Sequence, residues 1–203
     1  MRSSDNSLFT AAEAAFLTGL SIKAVNNAID KNMVSSVARS SIGESGRFLD
    51  QRALLVLMLE YRLANRFFPE LRRRLFDALA DSRGKAVVSL DEGLVKVDLG
   101  EPRRDLAASL RALRRARSVV VTDPEILGGQ PVFRGTRVPV HAVAALQEQG
   151  AAEADILKAY PRITAEMVRL APAYAHAYPI RGRPRSPPWR DRAPVKRGRE
   201  RLT

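Results

Sequence analysis

The sequence predicts a mainly α fold with short β-hairpins: a winged helix-turn-helix, then a helical middle, then a small module with a β-hairpin and three helices. Two observations support this fold class. Apolar residues recur at spacings of three and four over most of the chain, which indicates helices. Short β-branched runs flank turns rich in Gly, Asp and Ser, which is typical of hairpins. The predicted segments are residues 1–49, 50–117, 118–180 and 181–203.

The first segment begins with two short helices joined by a tight turn. Thr10 and Glu13 have the spacing of a capping box, which predicts the start of the first helix. Gly19 ends that helix, and Ser21 caps the second. The predicted core residues of the pair are Ala14, Ala15, Leu17, Ile22, Val25 and Ile29.

Two short strands, 34–39 and 47–49, are predicted after the helices, with a loop over 40–46. A helix pair followed by a hairpin resembles the winged helix of MerR-like regulators, and this resemblance implies DNA binding. Asn can pair with adenine, while Ser, Lys and Arg suit phosphate or guanine. The predicted DNA-binding residues are Ser21, Lys23, Asn26, Asn27 and Lys31 on the second helix, with Arg39 and Arg47 beside the wing. The alternative is an ordinary solvated helix face.

The middle segment is predicted to alternate helices with a hairpin. Leu54, Leu57, Met58, Tyr61 and Leu63 form one apolar helix face, and Pro69 separates this helix from the next. Strands over 86–89 and 94–99 flank an Asp-Glu-Gly turn, and Pro102 opens an arginine-rich helix that reaches 117. The apolar helix and the hairpin are candidate dimer surfaces, with core packing as the alternative.

Backbone-constraining residues are dense between 123 and 139. They are Gly128, Gly129, Pro131, Gly135, Thr136, Arg137 and Pro139, and a helical pattern follows them to Tyr178. This segment resembles the domain of unknown function 433, a module found in VapB-type antitoxins that partner PIN-like ribonuclease toxins. The resemblance implies a role in antitoxin assembly and operator binding.

Within this module, two short strands are predicted at 132–134 and 137–138, followed by three helices. Arg134 and Arg137 are candidates to bind carboxylates or phosphates. The alternative for Arg137 is a hydrogen bond to carbonyls of its own turn. The glycines do not form a phosphate loop, because no Gly-Lys-Ser/Thr continuation follows them.

Composition argues against several functional classes. The chain has no cysteine and two histidines, which stand far apart without carboxylates at ligand spacing. We therefore expect no metal site, no cofactor, no catalytic residue and no enzymatic activity. The first residues lack a signal-peptide core, and no apolar run approaches the roughly 20 residues of a membrane span. A cytoplasmic protein without membrane association is expected.

The net charge of +12 is concentrated at the C-terminal end, where residues 181–203 hold nine basic and two acidic side chains. Their prolines and charges predict an arm that does not fold alone. PIN-like ribonucleases hold a divalent cation with clustered carboxylates, and arginine forks could occupy that cluster. The predicted toxin-binding residues are Arg181, Arg183, Arg185, Trp189, Arg190 and Arg192.

The sequence thus favours a type II antitoxin that inhibits a PIN-like ribonuclease toxin and represses its own operon by binding operator DNA. A homodimer, or a hetero-oligomer with toxin, is expected, because one copy offers few phosphate contacts. The main alternative is a stand-alone transcription regulator whose basic arm grips DNA. A third hypothesis is an RNA-associated adaptor.

Overall fold

The structure is a computed structural model that describes residues 8–41, 44–81 and 85–180. It is mainly helical with small antiparallel hairpins, so the predicted fold class is confirmed. The helices in the described ranges are α1 Ala11–Thr18, α2 Ile22–Asp30, α3 Gln51–Leu63, α4 Pro69–Asp81, α5 Gly100–Ser118, α6 Val140–Glu148, α7 Glu153–Ala159 and α8 Ala165–Ala177.

The strands of these ranges form antiparallel pairs. β1 Val37–Ser41 pairs with β2 Glu44–Phe48, and β3 Val87–Leu90 pairs with β4 Val95–Asp98. In the module, β5 Val120–Val121 pairs with β6 Val132–Phe133. A further bridge joins Phe9 to Leu49, so the base of the first hairpin is tied to the residue that precedes α1.

Local signals define the helix starts. Glu13 N–H donates to Thr10 Oγ1 over 3.3 Å, and Thr10 N–H donates to Glu13 Oε2 over 2.8 Å, which completes the predicted capping box. Ser21 caps α2 and Thr164 caps α8 in the same manner. Gly19 takes the left-handed conformation at the end of α1, where a side chain would be strained.

The strands differ from the prediction in three places. The first strand begins at Val37 and not at residue 34. The segment predicted as a loop, 40–46, contributes to both β1 and β2, because backbone pairing such as Ser40 with Ser45 extends the ladder without apolar side chains. The segment 137–138 is not a strand. Val138 accepts one hydrogen bond from Phe133 N–H, and β6 pairs instead with β5.

Buried side chains form two hydrophobic clusters. One contains buried residues between Phe9 and Leu113, together with Ala177, and joins the helix pair, the first hairpin and the middle segment. The other lies between Val120 and Ala171, within the module. α8 touches both, since Ala171 belongs to the module cluster and Ala177 to the first cluster. This helix therefore connects the two parts of the protein.

Burial corrects individual core predictions. Ile22 is 39% exposed and Tyr61 is 72% exposed, so neither is a core residue. Both lie at the edge of a helix face whose centre is buried. All side chains from Ala53 to Leu59 are buried within this chain. The apolar face of α3 is therefore core packing and is not available as a dimer surface.

Candidate nucleic-acid interface and the Glu13 junction

The outer face of α2 is polar, and its inner face holds the helix in the core. Val25, Ala28 and Ile29 are buried. On the other side, Lys23, Asn27 and Lys31 are exposed, Asn26 is half-buried, and the small Ala24 lies between them. Ser21 is exposed, but its hydroxyl accepts a hydrogen bond from Ala24 N–H as the helix cap. α2 thus presents short polar side chains on a fixed support.

The first hairpin contributes less basic surface than predicted. Arg47 forms an ion pair with Asp30 at the end of α2. This pair holds the hairpin against α2 and partly neutralises Arg47 as a phosphate ligand. Arg39 lies in β1 opposite Gly46. Arg47 is therefore already engaged within the protein, beside the end of α2.

The two candidate arginines of the module differ in their surroundings. Arg134 donates through Nε to Ser118 O over 3.1 Å and through Nη2 to Val120 O over 3.3 Å, so it secures the connection between α5 and β5. Arg137 is exposed, and its binding of carboxylates or phosphates stays a prediction.

The buried Thr136 explains the Gly-Thr-Arg sequence. Its hydroxyl donates to Phe133 O over 2.9 Å and accepts from Val138 N–H over 3.0 Å. Gly135 precedes it with φ +74°, a conformation that a side chain would strain. Pro139 then occupies the position before α6. These residues, like Gly128, Gly129 and Pro131, set the backbone path of the module.

The predicted toxin-binding residues lie outside the described residues. They are Arg181, Arg183, Arg185, Trp189, Arg190 and Arg192.

A group of three side chains that hydrogen-bond to one another joins the N-terminal helix α1 to the end of α5 and to the module. Glu13, in the first turn of α1, is 4% exposed. Its Oε1 accepts hydrogen bonds from Arg117 Nη2 and, over 2.5 Å, from the Tyr178 hydroxyl. Arg117 Nε also donates to the Tyr178 hydroxyl, so the three side chains form a closed triangle. We call this set, Glu13, Arg117 and Tyr178, the Glu13 junction.

The pKa values of two side chains of the junction, Tyr178 and Arg117, are raised. Burial raises the pKa of Tyr178 far above its ordinary value, and the hydrogen bond and negative charge of Glu13 raise it further. Burial acts to lower the pKa of Arg117, but its hydrogen bond and charge interactions with Tyr178 and Glu13 outweigh burial and raise it. Arg117 therefore remains a guanidinium and Tyr178 a neutral donor, which is the arrangement that a buried carboxylate requires.

Aromatic rings surround the junction. The Arg117 guanidinium lies 5.5 Å from the centre of the Tyr178 ring. The centres of the Tyr174 and Tyr178 rings are 4.7 Å apart, and the planes of the two rings are tilted against each other. His141 Nε2 lies 2.7 Å from the Tyr178 carbonyl oxygen and donates to it, because a carbonyl can only accept. His141 is also 6.0 Å from Tyr174 in an edge arrangement.

A cavity of about 1020 Å³ opens beside the junction, between α1 and the module. The α1 side is formed by Thr10, Ala12 and Glu13, and the module side by the Gly128–Pro131 turn and the start of α6. Tyr174 and Tyr178 belong to its wall, and Ile180 lies at the point where the described chain ends. This cavity therefore borders both parts of the protein.

The sequence predicted Glu13 only as a capping residue and did not identify Arg117, Tyr178 or His141 as a group. One signal was available. Glu13 and Leu17 are four residues apart and share a helix face, so a carboxylate stands in the buried stripe of α1. A charge at such a position requires a buried partner.

Within residues 8–41, 44–81 and 85–180, no cluster of three or more His, Asp or Glu side chains could hold a metal ion. Nor does any helix in these ranges have the length and apolar character needed to cross a membrane.

Comparison with known proteins gives the family. The family model described as "Protein of unknown function (DUF433)" matches residues 120–175. The uncharacterized protein y4eO of Sinorhizobium fredii (strain NBRC 101917 / NGR234) is 34% identical over 192 residues, which cover 88% of this chain and 85% of that protein. The chain therefore belongs to the DUF433 family.

Two solved structures are also similar. A DUF433 member from Anabaena variabilis is 25% identical, with a TM-score of 0.29, and the match covers 56% of this chain and 91% of that one. Rv2018 from Mycobacterium tuberculosis is 18% identical, with a TM-score of 0.34, and the match covers 82% of this chain and 97% of that one.

The Glu13 junction predicts the effect of Tyr178→Phe. This substitution removes the hydroxyl that serves the buried carboxylate, and we expect it to lower the free energy of unfolding by about 1.5–3 kcal/mol, the range for hydrogen bonds to charged groups. Tyr174→Phe is the control, because the hydroxyl that it removes bonds to Thr122 and not to the buried carboxylate. Urea unfolding of both variants at neutral pH makes the comparison. Equal losses in the two variants would contradict a special role for Tyr178.

The same pair of variants tests the raised pKa. Above the ordinary tyrosine pKa of about 10, the unfolded chain has lost the Tyr178 proton while the folded chain keeps it. Wild-type stability therefore falls with rising pH in this window. Tyr178→Phe should show a shallower fall above about pH 10, and Tyr174→Phe should show a smaller change, because burial also raises the pKa of Tyr174 but less strongly. Parallel curves for wild type and Tyr178→Phe would argue against the assignment.

Proposed function

We propose that this protein is a type II antitoxin, in which α2 and the first hairpin bind operator DNA and the C-terminal arm inhibits a PIN-like ribonuclease toxin. The observation that carries the DNA-binding half is the face of α2 described above. Lys23, Asn27 and Lys31 project from a helix whose opposite face is fixed in the core. A recognition helix needs this combination, because base edges are read by short polar groups held in place by the fold.

The weak basic surface of the helix pair favours a dimer. Its basic side chains are few, and Arg47 is already paired with Asp30. A single copy thus offers few phosphate contacts, and a two-fold operator would double them. Side chains available for self-association lie in the middle segment, where Phe68 is 84% exposed and Leu94 is 88% exposed.

The toxin-inhibiting half rests on the resemblance to VapB-type antitoxins and on the arginines of 181–203. A PIN-like active site concentrates carboxylates that repel each other when the metal ion is absent. A guanidinium inserted among them relieves this repulsion and binds carboxylates with a planar fork. The arm follows Ile180, which lines the cavity beside the Glu13 junction. Toxin bridging of two copies would then raise their effective concentration on the operator.

The alternative function, a stand-alone DNA-binding regulator, is favoured by the same charge. Nine basic residues after position 180 suit a duplex backbone as well as they suit an acidic active site. An arm used for DNA would contribute to operator affinity, whereas an arm used for a toxin would not be needed for it.

Substitutions on α2 test the DNA-binding half. We expect Lys23→Ala to weaken binding to the promoter of its own gene and to reduce the salt slope by about one, because one phosphate contact is lost. Asn27→Ala should cost about 1–3 kcal/mol and relax the preference for this promoter over unrelated DNA, because a base contact is lost. Lys158→Ala, at an exposed lysine of α7 that faces Asp155 on its own helix, is the matched control. Fluorescence anisotropy at several salt concentrations gives these quantities. If Lys23→Ala and Lys158→Ala behave alike, α2 is not the DNA-binding helix.

Truncation after Ile180 separates the two functions. The antitoxin hypothesis predicts that the shortened chain keeps its promoter affinity and no longer silences the ribonuclease partner. The alternative predicts weaker promoter binding with a smaller salt slope, because several phosphate contacts are lost together. Promoter binding and ribonuclease inhibition are measured on the same preparations. Full inhibition by the truncated chain would contradict the role assigned to the arm.

A further inference from the structure

The cavity beside the Glu13 junction has features that the proposed DNA and toxin contacts do not use. Its volume of about 1020 Å³ is at the upper end of the range for small-molecule sites, about 300–1000 Å³. It lies between two separately packed parts of the chain, a location where such sites are common. The cavity is therefore large enough for an organic ligand of more than one ring.

Aromatic and apolar groups form much of the wall. Tyr174 and Tyr178 contribute from α8 and the residues after it, Phe48 from the end of β2, and Pro131 and Pro139 from the module. Tyr174 and Tyr178 already pack against each other with their planes tilted by 40°, which leaves an angled aromatic surface. Aromatic pairs favour offset and edge-to-face contacts, so a flat ring system suits this wall.

Arg117 supplies the polar anchor. Its Nε donates to the Tyr178 hydroxyl and its Nη2 to Glu13, and its side chain is 45% exposed. Within the described part of the chain, no hydrogen bond engages Nη1. The guanidinium is held rigidly by its other two donors and keeps a donor group for a ligand. A fixed arginine of this kind suits a carboxylate, because little side-chain entropy remains to be lost on binding.

Glu13 limits the charge that the site accepts. Its buried carboxylate accepts from the same guanidinium, so a ligand bound at Arg117 lies near an existing negative charge. Glu13 thus offsets much of the attraction that Arg117 offers, while the cost of removing an anion from water rises with the square of its charge, so a dianion is penalised more than a monoanion. The start of α6 also lines the cavity without a side-chain cap, and its dipole adds a modest preference for negative charge. These effects together favour a single negative charge.

We propose that this cavity is a binding site for an aromatic monocarboxylate, with the carboxylate on Arg117 and the ring system against Tyr174 and Tyr178. Because the wall combines α1 with the module, such a ligand contacts both parts of the chain at once. The site would be a small-molecule input to the protein, distinct from the proposed DNA-binding face of α2.

Titration calorimetry on the full-length protein tests the ligand class with three probes. They are 2-naphthoate, the uncharged 2-naphthamide and the dianionic 2-naphthyl phosphate. We expect saturable binding of 2-naphthoate, with 2-naphthamide at least about tenfold weaker because it lacks the charge. The phosphate should also bind more weakly than the carboxylate, because of Glu13.

A filled cavity provides the structural control. Ala142 is an exposed α6 residue that lines the cavity, so Ala142→Trp should occupy the space and abolish 2-naphthoate binding. Ala154→Trp places the same side chain on the exposed face of α7, away from the cavity, and should bind like wild type. Circular dichroism and urea unfolding of the two tryptophan variants check that both fold.

Each outcome decides the proposal. Absence of saturation by 2-naphthoate at millimolar concentrations would overturn it, as would equal affinity for the amide. Tighter binding of the phosphate would overturn the monocarboxylate assignment. Unchanged binding in Ala142→Trp would place the ligand elsewhere. The experiment uses neither DNA nor toxin, so its failure would leave the proposed antitoxin function standing.

Discussion

Glu13 is a carboxylate that folding removes almost completely from water, and the position of the N-terminal helices depends on how its charge is satisfied. Its partners come from distant parts of the chain: Arg117 is 104 residues away and Tyr178 is 165 residues away. An isolated buried carboxylate is strongly unfavourable. The contact forms only when α1, the end of α5 and the end of α8 meet, and this requirement fixes their relative placement.

The junction also connects the parts of the protein that carry its other features. α8 carries the connection, because its first half packs in the module and its end packs against α1 and α5. α2 follows α1 after a short turn, and residues 181–203 follow Tyr178 of the junction closely in sequence. α2, the cavity and the C-terminal end of the described chain are therefore all connected to the junction through packed helices.

Local features were predictable from the sequence, and distant contacts were not. The capping box at Thr10 and Glu13, the caps at Ser21 and Thr164, and the DUF433 module depend on residues close in sequence. The wrong predictions share a different cause. Burial at Ile22 and Tyr61, strand pairing over 40–46 and the carbonyl contacts of Arg134 depend on which elements pack together. Periodicity shows that a helix face is apolar, but it does not show how much of that face the neighbouring element covers.

The central claim, that this chain is an antitoxin, is tested most directly by purifying the tagged full-length protein from its native host after nuclease treatment. Mass spectrometry then identifies what remains bound, and a ribonuclease assay follows after denaturation and refolding of the partner. The account predicts a small protein with a metal-dependent ribonuclease activity that this chain silences. A protein that emerges alone, having lost only nucleic acid, would contradict the account and favour a solitary DNA-binding regulator.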